Sequence, residues 1–197
     1  MKYLYKINIT WTGNRGNGTA SYTSYDRNHT IKAGQKTVIP GSSDPAFRGD
    51  STRYNPEELL VASLSSCHML WFLHLCSAAG VVVLEYVDDA AGTMEETADG
   101  GGHFTEVTLF PVITVASEEM VEKADALHEK ANGLCFIARS CNFPVHHKPI
   151  YKIAEHVWKA VGSGEKAKAG RGNSGKLYLL SAYSYIKAMG LCDSCKK

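Results

Sequence analysis

Six cysteines, Cys67, Cys76, Cys135, Cys141, Cys192 and Cys195, carry the most reactive side chains of this chain. The thiolate is the nucleophilic form, so the question for each cysteine is what would ionise it. Cys67 sits deep in an apolar run, where a free cysteine by itself reads as a core residue. If that run is a helix, Cys67 lies beyond reach of the helix N-terminus, and a reactive Cys67 needs a cation brought in by the fold. Cys135 follows Asn132-Gly133, and the spacing places it at the start of a short helix, where backbone N–H groups favour a thiolate. It fits equally as a small apolar residue in a packed turn. Cys141 reads as a small residue at the start of a strand.

The other metal-ligating side chains form no convincing set. His68 and His74 flank Cys67 but are six residues apart, which does not put them on one helical face. They read as core or interface histidines. His146 and His147 are adjacent in a strand-like segment and point to opposite faces. Cys192-Asp193-Ser194-Cys195 is half a zinc site or a redox dithiol, with no second CxxC and no following histidine. It reads as a pendant tail.

The elements that must position these residues follow from local signals. Residues 3–11 alternate as a half-buried strand, 13–18 form a Gly/Asn turn, and 19–25 and 30–32 read as strands. Residues 40–54 are a polar loop. Asn55 is an N-cap type, Pro56 fits the first helical position, and Glu57 and Glu58 suit the helix dipole. The helix should run to Ala79 and stop at Gly80. It is apolar or small on nearly every face, which predicts burial all round and a two-fold partner to cover what one subunit cannot. The serines, histidines and cysteines within it argue against a membrane span. Residues 81–87 are a β-branched strand, Asp99-Gly100-Gly101-Gly102 a turn, and 104–115 one long strand with Pro111 at an edge or bulge. Ser117-Glu118-Glu119 opens a second helix broken by Asn132-Gly133, 134–140 form a short helix, and 143–153 form the last strand. Strands, helix, strands, helix, strand is an α+β order. From about His156 the composition changes to a Gly/Lys/Ser-rich linker over 162–175, with a further helix over 177–189. The expected organisation is a core domain over 1–155 and a linker and tail over 156–197.

With 21 basic and 20 acidic residues the net charge is +1, which leaves no footprint for nucleic acid. The lysine-interrupted start, Met1-Lys2-Tyr3-Leu4-Tyr5-Lys6, lacks an apolar signal core. A cytoplasmic, reducing environment is therefore expected, where cysteines are seldom structural bridges.

The run Asn55-Pro56-Glu57-Glu58-Leu59-Leu60, with Ser65-Ser66-Cys67 following it, resembles the Asn-Pro-Glu-x-Leu…Cys signature of the OsmC/Ohr hydroperoxide reductases. Trp11-Thr12-Gly13, Arg15-Gly16 and Gly18-Thr19 are similar to that family's first strand and turn, and 131–140 to its second-cysteine segment. The resemblance spans roughly residues 1 to 153. It implies an intertwined homodimer with an antiparallel sheet, a long buried central helix and active sites at the subunit interface. It further implies a peroxidatic Cys67, a resolving Cys135, a helix-start Glu57, and an arginine that holds the thiolate: Arg15 or Arg48, with Arg53 a third candidate. The implied substrate is an organic hydroperoxide and the implied reductant a lipoyl-type dithiol, with no metal, haem or flavin required. Leu64, Leu70, Trp71 and Phe72 would supply an apolar lining. Phe136 departs from the proline that family members often place after the second cysteine, and Cys141 is a possible substitute resolver. Ten residues separate Glu57 from Cys67, about 15 Å along a straight helix, so a glutamate near Cys67 must come from another subunit or act through an arginine. The rival readings are an apolar-ligand-binding protein with an inert Cys67, and a redox- or zinc-responsive protein working through its CxxC tail.

Overall fold

A computed structural model describes residues 1–154. The expected linker over 162–175, the helix over 177–189 and the Cys192/Cys195 pair lie outside the described residues.

The best-marked element behaves as its local chemistry dictates. Helix α1 spans Pro56–Ala79. Asn55 Oδ1 accepts from Glu58 N at 2.7 Å and Glu58 Oε2 accepts from Asn55 N at 3.1 Å, a reciprocal capping box. Gly80 ends the helix at φ 72°, a left-handed geometry that favours glycine.

Burial of α1 within one chain is one-sided. Leu64, His68, Phe72, Leu75 and Cys76 are buried, whereas Ala62, Ser66, Leu70 and His74 are exposed. One subunit covers one face of the helix and leaves another open. By length and composition α1 could cross a membrane, but its buried face packs on α2 (Val121–Leu134) and on the strands behind it.

Among the described residues, nine strands form three three-stranded sheets. The N-terminal sheet contains β1 (Asn8–Trp11), β2 (His29–Lys32) and β3 (Ile39–Gly41), all antiparallel. Only 8–11 of the expected 3–11 strand pairs, and it is exposed rather than half-buried. Residues 19–25 are turns rather than a strand, because Ser24 Oγ bonds back to Gly18 O and Ser21 O and closes the segment locally.

The remaining strands are β4 (Val83–Asp88), β5 (Ala91–Glu96), β6 (Gly102–Leu109), β7 (Pro111–Val115), β8 (Val145–His147) and β9 (Ile150–Ile153). They make the sheets β5-β6-β8 and β4-β7-β9. The sheets are mixed, since β8 and β9 run parallel to β6 and β7. Three passes of chain thus each break into two strands, at 89–90, at Phe110 and at 148–149, and the breaks are tied to each other. Asp88 Oδ1 accepts from Phe110 N at 2.7 Å, and Lys148 N donates to Leu109 O at 2.9 Å.

These linked breaks explain two corrections. The strand expected over 104–115 is two strands, and that expected over 143–153 is also two. Pro111 is neither at an edge nor in a bulge: it is the first residue of the central strand β7, a position that does not require its missing N–H. The Asp99–Gly102 turn joins β5 to β6 as expected, but β5 itself carried no alternation to announce it.

The second helix also differs. Ser117 precedes a short 3-10 turn, Glu118–Met120, and makes no side-chain cap. Helix α2 then runs through Asn132 and Gly133 to Leu134. Asn132 Nδ2 reaches Val145 O at 3.3 Å, anchoring the last turn to β8 despite the glycine. After Cys135, only Ala138–Ser140 is helical, as one 3-10 turn.

Replacing Asn55 with alanine removes the acceptor for Glu58 N and should destabilise the protein by about 1 kcal/mol. Urea unfolding checks this, with a lower midpoint and an unchanged m-value expected.

Candidate active site

Helices α1 and α2 bring two of the expected residues together. Cys67, half-buried on α1, lies beside the buried Cys135, close enough for the two thiols to act on each other. Burial, first, and the neighbouring Cys67 sulfur push the Cys135 thiol up to about 11, so Cys135 stays protonated at neutral pH. Opposing this weakly, Ala138 N donates to Cys135 Sγ at 3.4 Å. Cys135 is not the start of a helix, as its sequence setting implied, but the residue that terminates α2. Its favourable N–H groups, those of Ala138 and Ile137, come from the start of the 3-10 turn beyond.

Aromatic side chains border this junction. Trp71, one turn beyond Cys67, meets Phe136 edge-on with centroids 5.7 Å apart. Phe136, the departure from the expected proline, thereby ties the segment after Cys135 back to α1. Of the expected apolar lining, Leu70 is exposed and Trp71 half-buried, whereas Leu64 and Phe72 are fully buried in the two cores. Those two are interior packing, because their turn of α1 faces the strands.

Among the described residues, the other cysteines are not partners of the pair. Cys76 is buried, and burial raises its thiol to about 11. Cys141 packs at the edge of the Leu64–Val107–Leu109 core, and burial raises it too.

Glu57 does not approach Cys67. It lines a groove of about 770 Å³ on a different side of α1, with Val61, Ser65, Met69, Met94 and Phe104. Its Oε2 is buried without a hydrogen-bond partner. At the groove wall Ser65 Oγ donates to Asp88, whose carboxyl is raised by burial even though the Ser65 hydroxyl and Phe110 N–H pull the other way.

Within one chain the candidate arginines stand apart from Cys67. Arg15 bonds the carbonyls of Thr23 and Ser24 and lies 3.8 Å from Asp26. Arg48, at φ 64°, ends a 3-10 turn with its guanidinium 6.0 Å from the Tyr22 ring. Arg53 pairs with Asp50 at 3.2 Å. All three are engaged within the N-terminal segment, and none bonds the Cys67 of its own chain.

The residues that sequence reasoning missed are histidines. His128 of α2 is fully buried, and its Nδ1 lies 2.8 Å from His68 Nε2. Its ring stacks on Phe72 at 4.1 Å and lies nearly coplanar with His68, the centroids 5.1 Å apart, with the His147 ring 5.4 Å away. Ala124, His128 and Ala131 share the buried face of α2, and that spacing was the available signal. His74 is exposed, while His146 faces outward toward Glu106. The stack offers no common point for ligation, and no group of His, Cys, Asp or Glu able to hold a metal occurs among the described residues.

The fold is mixed α+β, and its central helix sets one half-exposed thiol beside one buried thiol. The model of the OsmC-like protein family matches residues 49–149, just over half of the chain, and the chain belongs to that family. It is similar to the structure of an OsmC-like protein of unknown function from Vibrio cholerae, with 28% identity and a TM-score of 0.69 over 76% of this chain and 100% of that one. It shares its fold with an organic hydroperoxide resistance protein from Elizabethkingia anophelis, at 23% identity and TM-score 0.55, covering 78% of this chain and 100% of that one. An organic hydroperoxide resistance protein OsmC from Legionella pneumophila shares it at 16% identity and TM-score 0.52, covering 76% and 98%. No curated protein matches the chain.

Burial lowers His68 to about 4, with His147 contributing second, and lowers His128 to about 3, with His68 and His147 adding to it. The unfolded chain, with histidines near 6.5, therefore binds more protons than the folded one as pH falls below that value. The stability contributed by the neutral rings is complete above about pH 6.5 and is lost progressively as pH falls toward about 4. Asp88, raised by burial, acts in the opposite sense at the acid end of this window. Urea midpoints should fall between about pH 7 and pH 5, and His128→Phe should flatten that dependence.

Proposed function

We propose that the protein is a thiol peroxidase that reduces organic hydroperoxides. The observation that carries this reading is the contact between Cys67 and Cys135 at the junction of α1 and α2. The Cys67 thiolate attacks the distal oxygen of the hydroperoxide. The O–O bond breaks, the alkoxide takes up a proton and leaves as alcohol, and Cys67 becomes a sulfenic acid. The Cys135 thiol condenses with it, forming the S–S bond and releasing water. A dithiol, lipoyl-type by family resemblance, restores both thiols by exchange and is itself oxidised. Half-exposed Cys67 suits attack on an incoming substrate, and buried Cys135, held as a thiol, suits a resolver that acts second. Trp71, Leu70 and Phe136 offer an apolar approach for the organic group.

The working unit in this reading is a homodimer, with the thiolate-holding arginine, Arg15 or Arg48, brought to Cys67 by the partner subunit. Three features support it. Among the described residues no arginine bonds Cys67, Glu57 keeps an unpartnered buried oxygen in its groove, and large apolar side chains stand exposed on the N-terminal segment and α1, among them Tyr5, Ile9, Trp11 and Leu70. An isolated subunit would leave such a patch in water.

Cys67→Ser should abolish hydroperoxide consumption and dimedone labelling. Cys135→Ser should keep the first step but stop at sulfenic acid, labelled by dimedone, with turnover reduced at least about a hundredfold, the scale of losing a covalent step. Full turnover by Cys67→Ser would remove Cys67 as nucleophile. Sedimentation on dilution should show activity and stability falling together as dimer dissociates. A fully active monomer would defeat the shared-site reading.

A further inference from the structure

The His68–His128 pair stands beside the thiols but takes no part in the chemistry proposed above. Its position has consequences for them. Cys67 and His68 are neighbours on α1, whereas their partners, Cys135 and His128, are seven residues apart, about 10 Å along the axis of α2. Two aligned helices could not satisfy both contacts from adjacent residues. α2 must cross α1 steeply, pinned at His128 and delivering Cys135 where it ends.

The pin is well defined. His128 lies between Phe72 and His68, the ring planes inclined by only 14° and 6°, while His147 of β8 closes the cluster at 23°. Tyr151 of β9 meets the same ring at 6.3 Å. The end of α2 is held at two further points, by Asn132 Nδ2 on Val145 O at 3.3 Å and by the Trp71–Phe136 ring contact, while the Cys135 N–H bonds back to Asn132 O at 3.2 Å.

A purely structural role would not favour histidines here. The pair makes one hydrogen bond yet leaves His68 Nδ1 and His128 Nε2 buried without partners. Orphaned polar atoms of that kind oppose stability, and two apolar residues of similar shape would fill the space better. What the imidazoles add is direction, since a hydrogen bond tolerates less sliding than an apolar contact.

We propose that His68 and His128 are positioning residues whose hydrogen bond sets the α1–α2 crossing and so holds Cys135 in reach of Cys67, governing disulfide closure but not attack on the peroxide. This rests on the thiol-peroxidase reading, in which Cys135 resolves Cys67.

The test separates the two steps in the full-length protein. Diamide converts two thiols to a disulfide while being reduced to its hydrazide, so Cys67–Cys135 closure, quantified by peptide mapping, needs no peroxide. His68→Leu removes the bond and should slow closure by up to about tenfold, the fold-change that one net hydrogen bond supports. His68→Gln keeps a hydrogen-bonding nitrogen near the Nε2 position and should restore most of the rate. Dimedone-trapped sulfenic acid from cumene hydroperoxide should form at the wild-type rate in both variants. If His68→Leu does not fold, His128→Phe, which keeps the ring stack and drops the bond, is read in the same way. Wild-type closure in His68→Leu, a defect of equal size in His68→Gln, or loss of the first step would each overturn the inference and leave the peroxidase reading standing. Failure of the wild type to join Cys67 to Cys135 would overturn both.

Discussion

The crossing of α1 and α2 is the constraint on which the rest of this structure depends. α1 is too apolar to stand in water, and α2 covers part of it through a narrow face of two alanines and one histidine. Small residues allow close approach, and the histidine enters between Phe72 and His68. That contact fixes how α2 lies against α1, and the Asn132 tie to β8 carries the helix on to Cys135, whose buried thiol faces Cys67. The thiol pair is thus a property of helix packing rather than of either cysteine's local sequence.

A second constraint acts from the sheet side. Three chain passes break at one level, and Asp88 joins that level to α1 by accepting from Phe110 N and Ser65 Oγ. Burial of this carboxyl is tolerated because both oxygens have partners. The helix is therefore held at the Ser65–Cys67 turn from both sides, by α2 through His68 and by the sheets through Ser65. Cys67, the nucleophile of the proposed function, gains from such a seat, since its geometry does not depend on loops.

The exposed apolar surface and the unpartnered Glu57 oxygen belong to the same picture. Within one chain the N-terminal sheet has little core of its own: β1 is exposed along its whole length, and its arginines are occupied by turns around them. In the homodimer proposed above, these features would supply the second half of each site.

The sequence alone determined what local chemistry controls. The capping box at Asn55, the left-handed stop at Gly80 and the apolar run between them define α1 to the residue, because caps and hydrophobic patterning act within a few positions of the chain. The Asn-Pro-Glu-x-Leu spacing to Cys67 marked the family and the central thiol. Tertiary structure decided the rest. β5 exists because β6 pairs with it, not because 91–96 alternates. Pro111 became the start of a central strand because neighbouring passes break beside it. Gly133 stayed helical because Asn132 is tied to β8, and that moved Cys135 from a helix start to a helix end. His68, His128 and His147 meet across long stretches of chain with no motif to join them. Each of these depends on contacts between segments distant in sequence, and such contacts leave no mark on the spacing of neighbouring residues.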